Sequence, residues 1–134
     1  MALEDPEGAS VLKLHADLNP ALNTVTAYGE GWVEINRTRH EGALLVRPEG
    51  EILAWPVAAF EALESAHFEA LLEHSPEVVI FGTGARQRFP HPRLVAPLAR
   101  ARIGIEVMAT GAACRTYNIL MGEGRRVVAV MLPP

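Results

Sequence analysis

The hydrophobic pattern in the first half of the chain is that of short strands. Apolar runs rich in β-branched and aromatic residues alternate with glycine- and proline-containing turns, which is typical of antiparallel hairpins. The predicted strands are Thr24–Tyr28, Trp32–Ile35, Ala43–Val46 and Glu51–Trp55. The polar segment Asn36–Gly42 is predicted to be a connecting loop. Apolar and polar residues alternate in Trp32–Ile35, so one face of that strand should contact solvent.

The second half has the pattern of helices that alternate with buried strands. The predicted helices are Phe60–Glu73, with Ser65 as the cap of a second helix inside it, then Pro92–Arg102, and Gly111–Met121 with Thr110 as N-cap and Gly122 as its stop. The predicted strands are Val78–Phe81, Ile103–Met108 and Arg126–Leu132. This order predicts an α/β fold. We expect a single three-layer domain, in which a mixed, largely parallel central sheet is flanked by helices and joined by antiparallel strands from the N-terminal half.

Length and composition fit this fold. A chain of 134 residues predicts one domain, residues 1–134, in which residues 1–10 form a loose tail. Hydrophobic residues make up 49% and charged residues 21% of the chain, which excludes a disordered protein. The single cysteine excludes an internal disulfide. No apolar run is long enough to span a membrane and the start Met1–Gly8 is acidic, so we expect a soluble, cytoplasmic protein.

Charge is distributed unevenly along the chain. Residues 1–76 contain 13 acidic and 4 basic residues, whereas residues 77–134 contain 3 acidic residues and 8 arginines. Two interpretations remain open: two solvated faces of one domain, or an arginine-lined site for an anion or an acidic partner. The overall net charge of −4 argues against nucleic acid as a partner.

Two loops are candidates for a binding site. Ligands of parallel sheets bind beyond the carboxyl ends of the strands, and here Gly82-Thr83-Gly84 and Ala109-Thr110-Gly111 follow two predicted strands. The predicted ligand-binding residues are Gly82, Thr83, Gly84, Arg86, Arg88, Thr110, Cys114, Arg115 and Asn118. The first loop lacks the third glycine of a dinucleotide-binding fingerprint, because Gln87 stands there. A tight turn and an anion cradle of loop amides with Arg86 or Arg88 both remain open.

Cys114 is the only candidate for catalysis. It lies near the start of a predicted helix and beside Arg115, and both features would lower the pKa of a thiol. The alternative is a buried cysteine that packs the helix on the sheet. A nucleophilic thiol needs a base, and His91 is the histidine that could approach it. No carboxylate pair or histidine cluster has the spacing of a metal site, so we expect no metal and no cofactor.

The residues of the second half also resemble those of a known family. The runs Val79–Gly84 and Gly104–Asn118, closed by Glu123-Gly124-Arg125, are similar to the small Mth-domain family. This family includes the mitochondrial NADH dehydrogenase (complex I) assembly factor 3, the adipogenesis-associated Mth-domain protein and many bacterial proteins of unknown function. The resemblance covers roughly residues 10–133 and implies a compact three-layer α/β fold. It also implies a role in protein assembly for the mitochondrial relatives, and no established reaction.

These observations predict a bacterial-type, non-catalytic protein-binding or assembly module with an anion-binding crevice. Its expected partner is a protein, and an anionic small molecule is a second candidate. Tyr28, Trp32, Trp55 and Phe60 are either core residues or partner contacts. Two alternatives are a small enzyme or thiol-dependent redox protein that uses Cys114, and a sensor of an anionic metabolite.

Overall fold

The computed structural model describes the strand Leu12–Lys13 and residues 21–134, so the tail predicted for residues 1–10 lies outside the described residues. In this part of the chain the strands are β1 (Leu12–Lys13), β2 (Val25–Gly29), β3 (Trp32–Ile35), β4 (Thr38–Glu41), β5 (Leu44–Val46), β6 (Leu53–Ala54), β7 (Val78–Gly82), β8 (Gly104–Met108) and β9 (Val127–Met131). The α-helices are α1 (Ser65–Glu69), α2 (Pro92–Arg100) and α3 (Thr110–Gly122). Two short 3-10 helices, Phe60–Ala62 and Ala70–His74, flank α1.

The strands form two sheets. The central sheet has the order β6-β5-β9-β7-β8, in which β7 pairs in parallel with β8 and β9. Strand β5 pairs antiparallel with β9 and β6. Strands β1 to β4 form a separate antiparallel sheet. The predicted α/β fold with a mixed central sheet is confirmed, and its parallel part consists of the three strands from the second half of the chain.

Strand β4 lies in the segment predicted to be a loop. It pairs antiparallel with β3 through the turn residues Asn36 and Arg37, both of which have positive φ. Such a two-residue turn matches the twist of a hairpin. The residues of β4 are polar and mostly exposed because it is the edge strand of its sheet. A polar edge strand has no apolar alternation, which is why the sequence pattern did not reveal it.

The predicted helix Phe60–Glu73 is divided into three short pieces. Glu64, and not Ser65, is the N-cap residue of α1, and its backbone N–H donates 2.9 Å to Nδ1 of His67. The break allows Phe60 to stack on Phe81 and Phe68 to pack edge-on against the same ring. A straight helix would not place both rings against one strand residue.

Both faces of the central sheet are covered. Alternate residues of β7 and β9 point to opposite sides, so Val79 and Phe81 pack with Phe68 of α1 and Leu98 of α2. On the other side, β7 and β9 pack against α3 and the antiparallel sheet, through buried residues that include Ile80, Ala129, Tyr117 and Val25. The continuous burial of these strands therefore reflects three layers, with the sheet in the middle.

Candidate functional site

The loops after β7 and β8 meet at one edge of the central sheet. Gly82 is in register with Met108, so the two parallel strands end side by side. The backbone N–H of Thr83 donates 2.8 Å to the carbonyl of Met108, and that of Thr110 donates 2.9 Å to the carbonyl of Gly84. The structure thus brings together the two loops that the sequence singled out.

The two threonine hydroxyls in these loops bind protein groups. The buried Thr110 hydroxyl donates 2.7 Å to the carbonyl of Leu132 and accepts 2.8 Å from the backbone N–H of Gly84. The Thr83 hydroxyl donates 2.7 Å to the carbonyl of Arg86 and accepts 3.1 Å from the N–H of Arg88. The backbone N–H groups of residues 83, 84 and 88 are therefore already bonded within the protein and are not free to bind an anion.

Gly82 allows the close approach of strand and helix at this edge. A Cβ atom on Gly82 would lie 2.9 Å from the hydroxyl oxygen of Thr110 and 3.1 Å from Cβ of Ala113. Helix α3 also begins one residue earlier than predicted, at Thr110, with Ala109 as its N-cap residue. Thr110 therefore uses its side chain to join the last strand, and does not cap its own helix.

The predicted arginines do not form one cluster. Arg88 pairs with Glu61 at 2.8 Å and lies 4.1 Å over the Phe60 ring, on the side of the sheet that α1 and α2 cover. The hydrogen bond from Arg88, together with its charge and that of Arg86, lowers the pKa of Glu61. Arg115 lies on α3, on the other side of the sheet, and donates a hydrogen bond to the Tyr28 hydroxyl. The structure therefore does not bring Arg88 and Arg115 into one crevice, because Arg88 contacts Phe60 on one side of the central sheet and Arg115 contacts Tyr28 on the other.

Cys114 and Asn118 are directed into the protein interior. Cys114 is fully buried, with its sulfur 3.8 Å from that of Met131. Burial raises the pKa of its thiol to about 12, although the charge of Arg115 acts in the opposite direction. The carboxamide of Asn118 binds the backbone of Val25 twice, accepting from its N–H at 2.9 Å and donating to its carbonyl at 2.8 Å. Both residues thus join α3 to its neighbours.

An open groove of about 530 Å³ lies where α3 begins. We call it the Tyr28–Arg115 groove; the residues that define it are Tyr28, Glu30, Gly84, Ala112, Arg115 and Pro134. Of the predicted ligand-binding residues, Gly84 and Arg115 line it. The N–H of Gly31 donates 2.9 Å to the carbonyl of Pro134 and so holds Pro134 beside the β2–β3 turn.

Glu30, Ala112 and Pro134 also line the groove, although they are not among the residues predicted from the sequence. Glu30 lies in a turn remote in sequence from α3, and Pro134 reaches the groove only through its backbone contact with Gly31. Tyr28, identified as a candidate partner contact, is 7% exposed and belongs to both the core and the groove wall. The sequence feature that could have revealed the groove was the pair of glycine-containing turns next to Tyr28 and Thr110.

The part of the chain that the structure describes contains no group of three or more histidine, cysteine or acidic side chains arranged to hold a metal ion. In the same part, no helix has the length and apolar character needed to cross a membrane.

Comparison with known proteins identifies the family of this chain. A family model described as a protein of unknown function (DUF498/DUF598) matches residues 25–132, from β2 to the residue after β9. The chain belongs to this family. The resemblance inferred from the sequence is confirmed by a solution NMR structure of a Bordetella pertussis protein described as a Mth938-like domain. That protein is 40% identical, with a TM-score of 0.76 and 91% of this chain and 92% of that one covered.

Two further proteins are similar to this DUF498 chain, one in structure and one in sequence. The crystal structure of a Bordetella parapertussis protein is 46% identical, has a TM-score of 0.81, and is matched over 85% of this chain and 98% of that one. NADH dehydrogenase [ubiquinone] 1 alpha subcomplex assembly factor 3 of Danio rerio is 34% identical over 82% of this chain. The match covers 64% of the Danio rerio protein, so this chain spans less than two thirds of that relative.

Proposed function

We propose that this DUF498 protein is a non-catalytic module that binds a partner protein through the Tyr28–Arg115 groove. The observation that carries the proposal is the pairing of Arg115 with Tyr28 inside an open groove whose other lining residues are mostly glycine and alanine. Such a groove admits an extended segment of a partner. Arg115 then supplies the charge that selects an acidic side chain or a terminal carboxylate.

The environment of Arg115 supports this role. A guanidinium has five N–H donors, and the hydrogen bond from Nη1 to the Tyr28 hydroxyl uses one of them. That bond also restricts the rotamers of an otherwise exposed side chain, which lowers the entropy lost when a partner binds. The amino end of the 13-residue helix α3 adds partial positive charge to the same wall. Glu30, which also lines the groove, provides a site for a basic group of the partner.

The relatives support a role in assembly. The Danio rerio relative is named as an assembly factor, and the part of this chain that matches the family model, residues 25–132, contains Tyr28, Glu30 and Arg115 of the groove. By analogy, the groove would hold one component of a complex while others join. The chemistry of Cys114 does not favour the enzymatic alternative, because a thiol with a pKa near 12 has almost no thiolate at neutral pH.

Site-specific crosslinking tests the proposal. A photoreactive amino acid is placed at Ala112 in the groove, and in a control protein at the exposed Ala99 on α2. In an extract of the native cell we expect a discrete protein adduct from position 112 and none from position 99. Adding Arg115→Ala should reduce the yield several-fold. No adduct at position 112, or the same adduct at both positions, would overturn the proposal.

Two arginine variants locate the binding surface further. Arg86→Ala removes a charge that acts on Glu61 and does not line the groove, and Arg93→Ala removes an exposed charge on α2. Neither should change the yield from position 112. If Arg86→Ala reduces the yield as much as Arg115→Ala does, the partner contacts the whole sheet edge, and the assignment to the groove is wrong.

A further inference from the structure

A second cavity, of about 370 Å³, lies at the opposite edge of the central sheet from the Tyr28–Arg115 groove. It forms where β5 and α3 end and where β9 begins. We call it the Arg47 pocket; its charged and titratable lining consists of Arg47, Glu49, His74, Arg125 and Arg126. Three guanidinium groups thus line one pocket together with one carboxylate.

Two of these arginines are held in place by the protein. Nε of Arg125 lies 3.0 Å from a carboxylate oxygen of Glu77, whose other oxygen accepts 2.9 Å from the backbone N–H of Arg126. Nε of Arg126 donates 3.2 Å to the carbonyl of Ser75. Both side chains are anchored through Nε, and within the described part of the chain the terminal nitrogens of each guanidinium have no acceptor, so they can bind an external one.

The arginines are not needed to cap α3. Carbonyl groups near the end of this helix already accept backbone hydrogen bonds. The carbonyl of Leu120 accepts from the N–H groups of Glu123 and Arg125, at 3.1 Å each. The carbonyl of Met121 accepts 3.0 Å from the N–H of Gly124. Basic side chains near a helix end often bind such carbonyls, and here that explanation is not required.

The guanidinium group of Arg47 has few hydrogen-bond partners within the protein. Its Nε is buried and has no hydrogen-bond partner among the described residues. Its Nη2 has one distant acceptor, the carbonyl of Glu51 at 3.5 Å. A buried donor of a charged group without an acceptor is rare in proteins, because the group has lost its hydration and gained nothing in return. Arg47 is therefore held by fewer protein contacts than Arg125 and Arg126, and it adds a third positive charge to the lining of this pocket.

The loop around Arg47 is built to hold the guanidinium. Asn23 donates 2.9 Å to the carbonyl of Arg47 and 2.7 Å to that of Gly50. Gly50 has a φ of +99°, and a Cβ atom there would lie 2.8 Å from Nη2 of Arg47. The glycine therefore leaves the space that the guanidinium occupies, and Asn23 fixes the loop on both sides of it.

We infer that the Arg47 pocket binds a small organic phosphate. A carboxylate has two oxygens for bidentate pairing, whereas the three terminal oxygens and larger negative charge of a phosphate monoester match three guanidinium groups better. Leu22, Met121 and Val127 line the rest of the pocket and contact the carbon part of the ligand. The volume is at the lower end of small-molecule sites, which suits a single metabolite and excludes a dinucleotide.

Amide NMR titration of the isotopically labelled protein tests this inference, with glycerol 3-phosphate as the probe and acetate at equal ionic strength as the comparison. We expect saturable shifts centred on Gly50, Gly124 and Val127 with glycerol 3-phosphate, and weak, unsaturated shifts with acetate. Arg126→Gln should weaken binding by about tenfold, whereas Arg93→Gln, which removes an exposed arginine on α2, should leave it unchanged.

Arg47→Lys separates charge from geometry. Lysine keeps the positive charge but has no planar fork, so the affinity for glycerol 3-phosphate should fall several-fold while the spectrum remains that of a folded protein. Equal effects of Arg126→Gln and Arg93→Gln, unsaturated shifts with glycerol 3-phosphate, or equal binding of acetate would each overturn the inference. Because Arg115 lies at the other edge of the sheet, the outcome is independent of partner binding in the groove.

Discussion

The side chain of Thr110 and the backbone of Leu132 are joined by a hydrogen bond of 2.7 Å. The same hydroxyl accepts from the N–H of Gly84, so one fully buried oxygen connects the start of α3, the loop after β7 and the residue after β9. The geometry of the candidate site depends on this three-way contact, because the wall of the Tyr28–Arg115 groove at Gly84 and Ala112 is attached through it.

Thr110→Val should therefore destabilise the protein. The substitution keeps the shape of the side chain but leaves the N–H of Gly84 and the carbonyl of Leu132 buried without partners. We expect a loss of about 2–4 kcal/mol in the free energy of unfolding, measured by urea denaturation. Thr38→Val, on the exposed edge strand β4, is the matched control and should change stability by less than about 0.5 kcal/mol. A Thr110→Val protein as stable as the control would contradict this role.

Replacing Gly111 or Gly122 of α3 by alanine should change the stability of the protein in opposite directions. A Cβ on Gly111 would lie 2.8 Å from the Tyr28 hydroxyl oxygen, whereas no atom lies within 4 Å of a Cβ on Gly122. Gly122→Ala should stabilise the protein by up to about 1 kcal/mol, because alanine is the better helix former. Gly111→Ala should destabilise it and displace the Tyr28 ring. Thermal unfolding of both variants measures the two changes in stability. If both variants are stabilised, the Tyr28 ring moves aside at little cost and the prediction for Gly111→Ala is wrong.

Asn118→Ala should loosen the antiparallel sheet. The substitution removes both hydrogen bonds to Val25, the first residue of β2. The backbone N–H and carbonyl of Val25 then lose these partners. We expect faster hydrogen exchange in β2 and β3 than in the wild type, with little change in β7 and β9. Ile119→Ala, at the neighbouring exposed position, is the control. Uniformly faster exchange throughout the protein would indicate that Asn118 stabilises the whole fold and has no local role.

Cys114 predicts a characteristic dependence of stability on pH. Its folded pKa, about 12, lies above that of an exposed thiol, so between about pH 9 and 12 the unfolded chain has lost a proton that the folded chain retains. Ionisation then favours the unfolded state, and the contribution of the thiol to stability is present below about pH 9 and falls as the pH rises. Cys114→Ala should lower stability at neutral pH and show a shallower decline in alkali.

Alkylation tests the same thiol directly. Native protein should react with iodoacetamide far more slowly than urea-unfolded protein at pH 8, because the thiol is both buried and protonated. Equal rates in the two states would revive the redox alternative.

The positions of several strands and helices could be predicted from the local hydrophobic pattern alone. Strands β7, β8 and β9 and helices α2 and α3 lie within two residues of their predicted bounds at each end. These strands are apolar throughout or nearly so, and such runs between turn residues have few alternatives in a protein of this size. The parallel order of β7 and β8 also followed from the helix between them, and it correctly placed the loops of Gly84 and Thr110 side by side.

Elements without such a pattern were not predictable. Strand β4 is polar because it lies at a sheet edge, and its pairing depends on a turn at Asn36 and Arg37 and on the neighbouring β3. The predicted helix after Phe60 is broken because Phe60 and Phe68 both contact Phe81, which belongs to a distant strand. Local propensity does not contain that requirement.

The sequence by itself determined the layered α/β fold, the position of its buried strands and the loops at the carboxyl end of the sheet. Only the tertiary structure decided what the polar residues in those loops and in α3 do. Asn118 and Val25 are separated by 93 residues, and Arg115 and Tyr28 by 87, yet each pair is joined by hydrogen bonds. A side chain whose partner is that remote looks the same in sequence whether it binds a ligand or its own backbone, because the difference lies in which acceptor the fold brings to it.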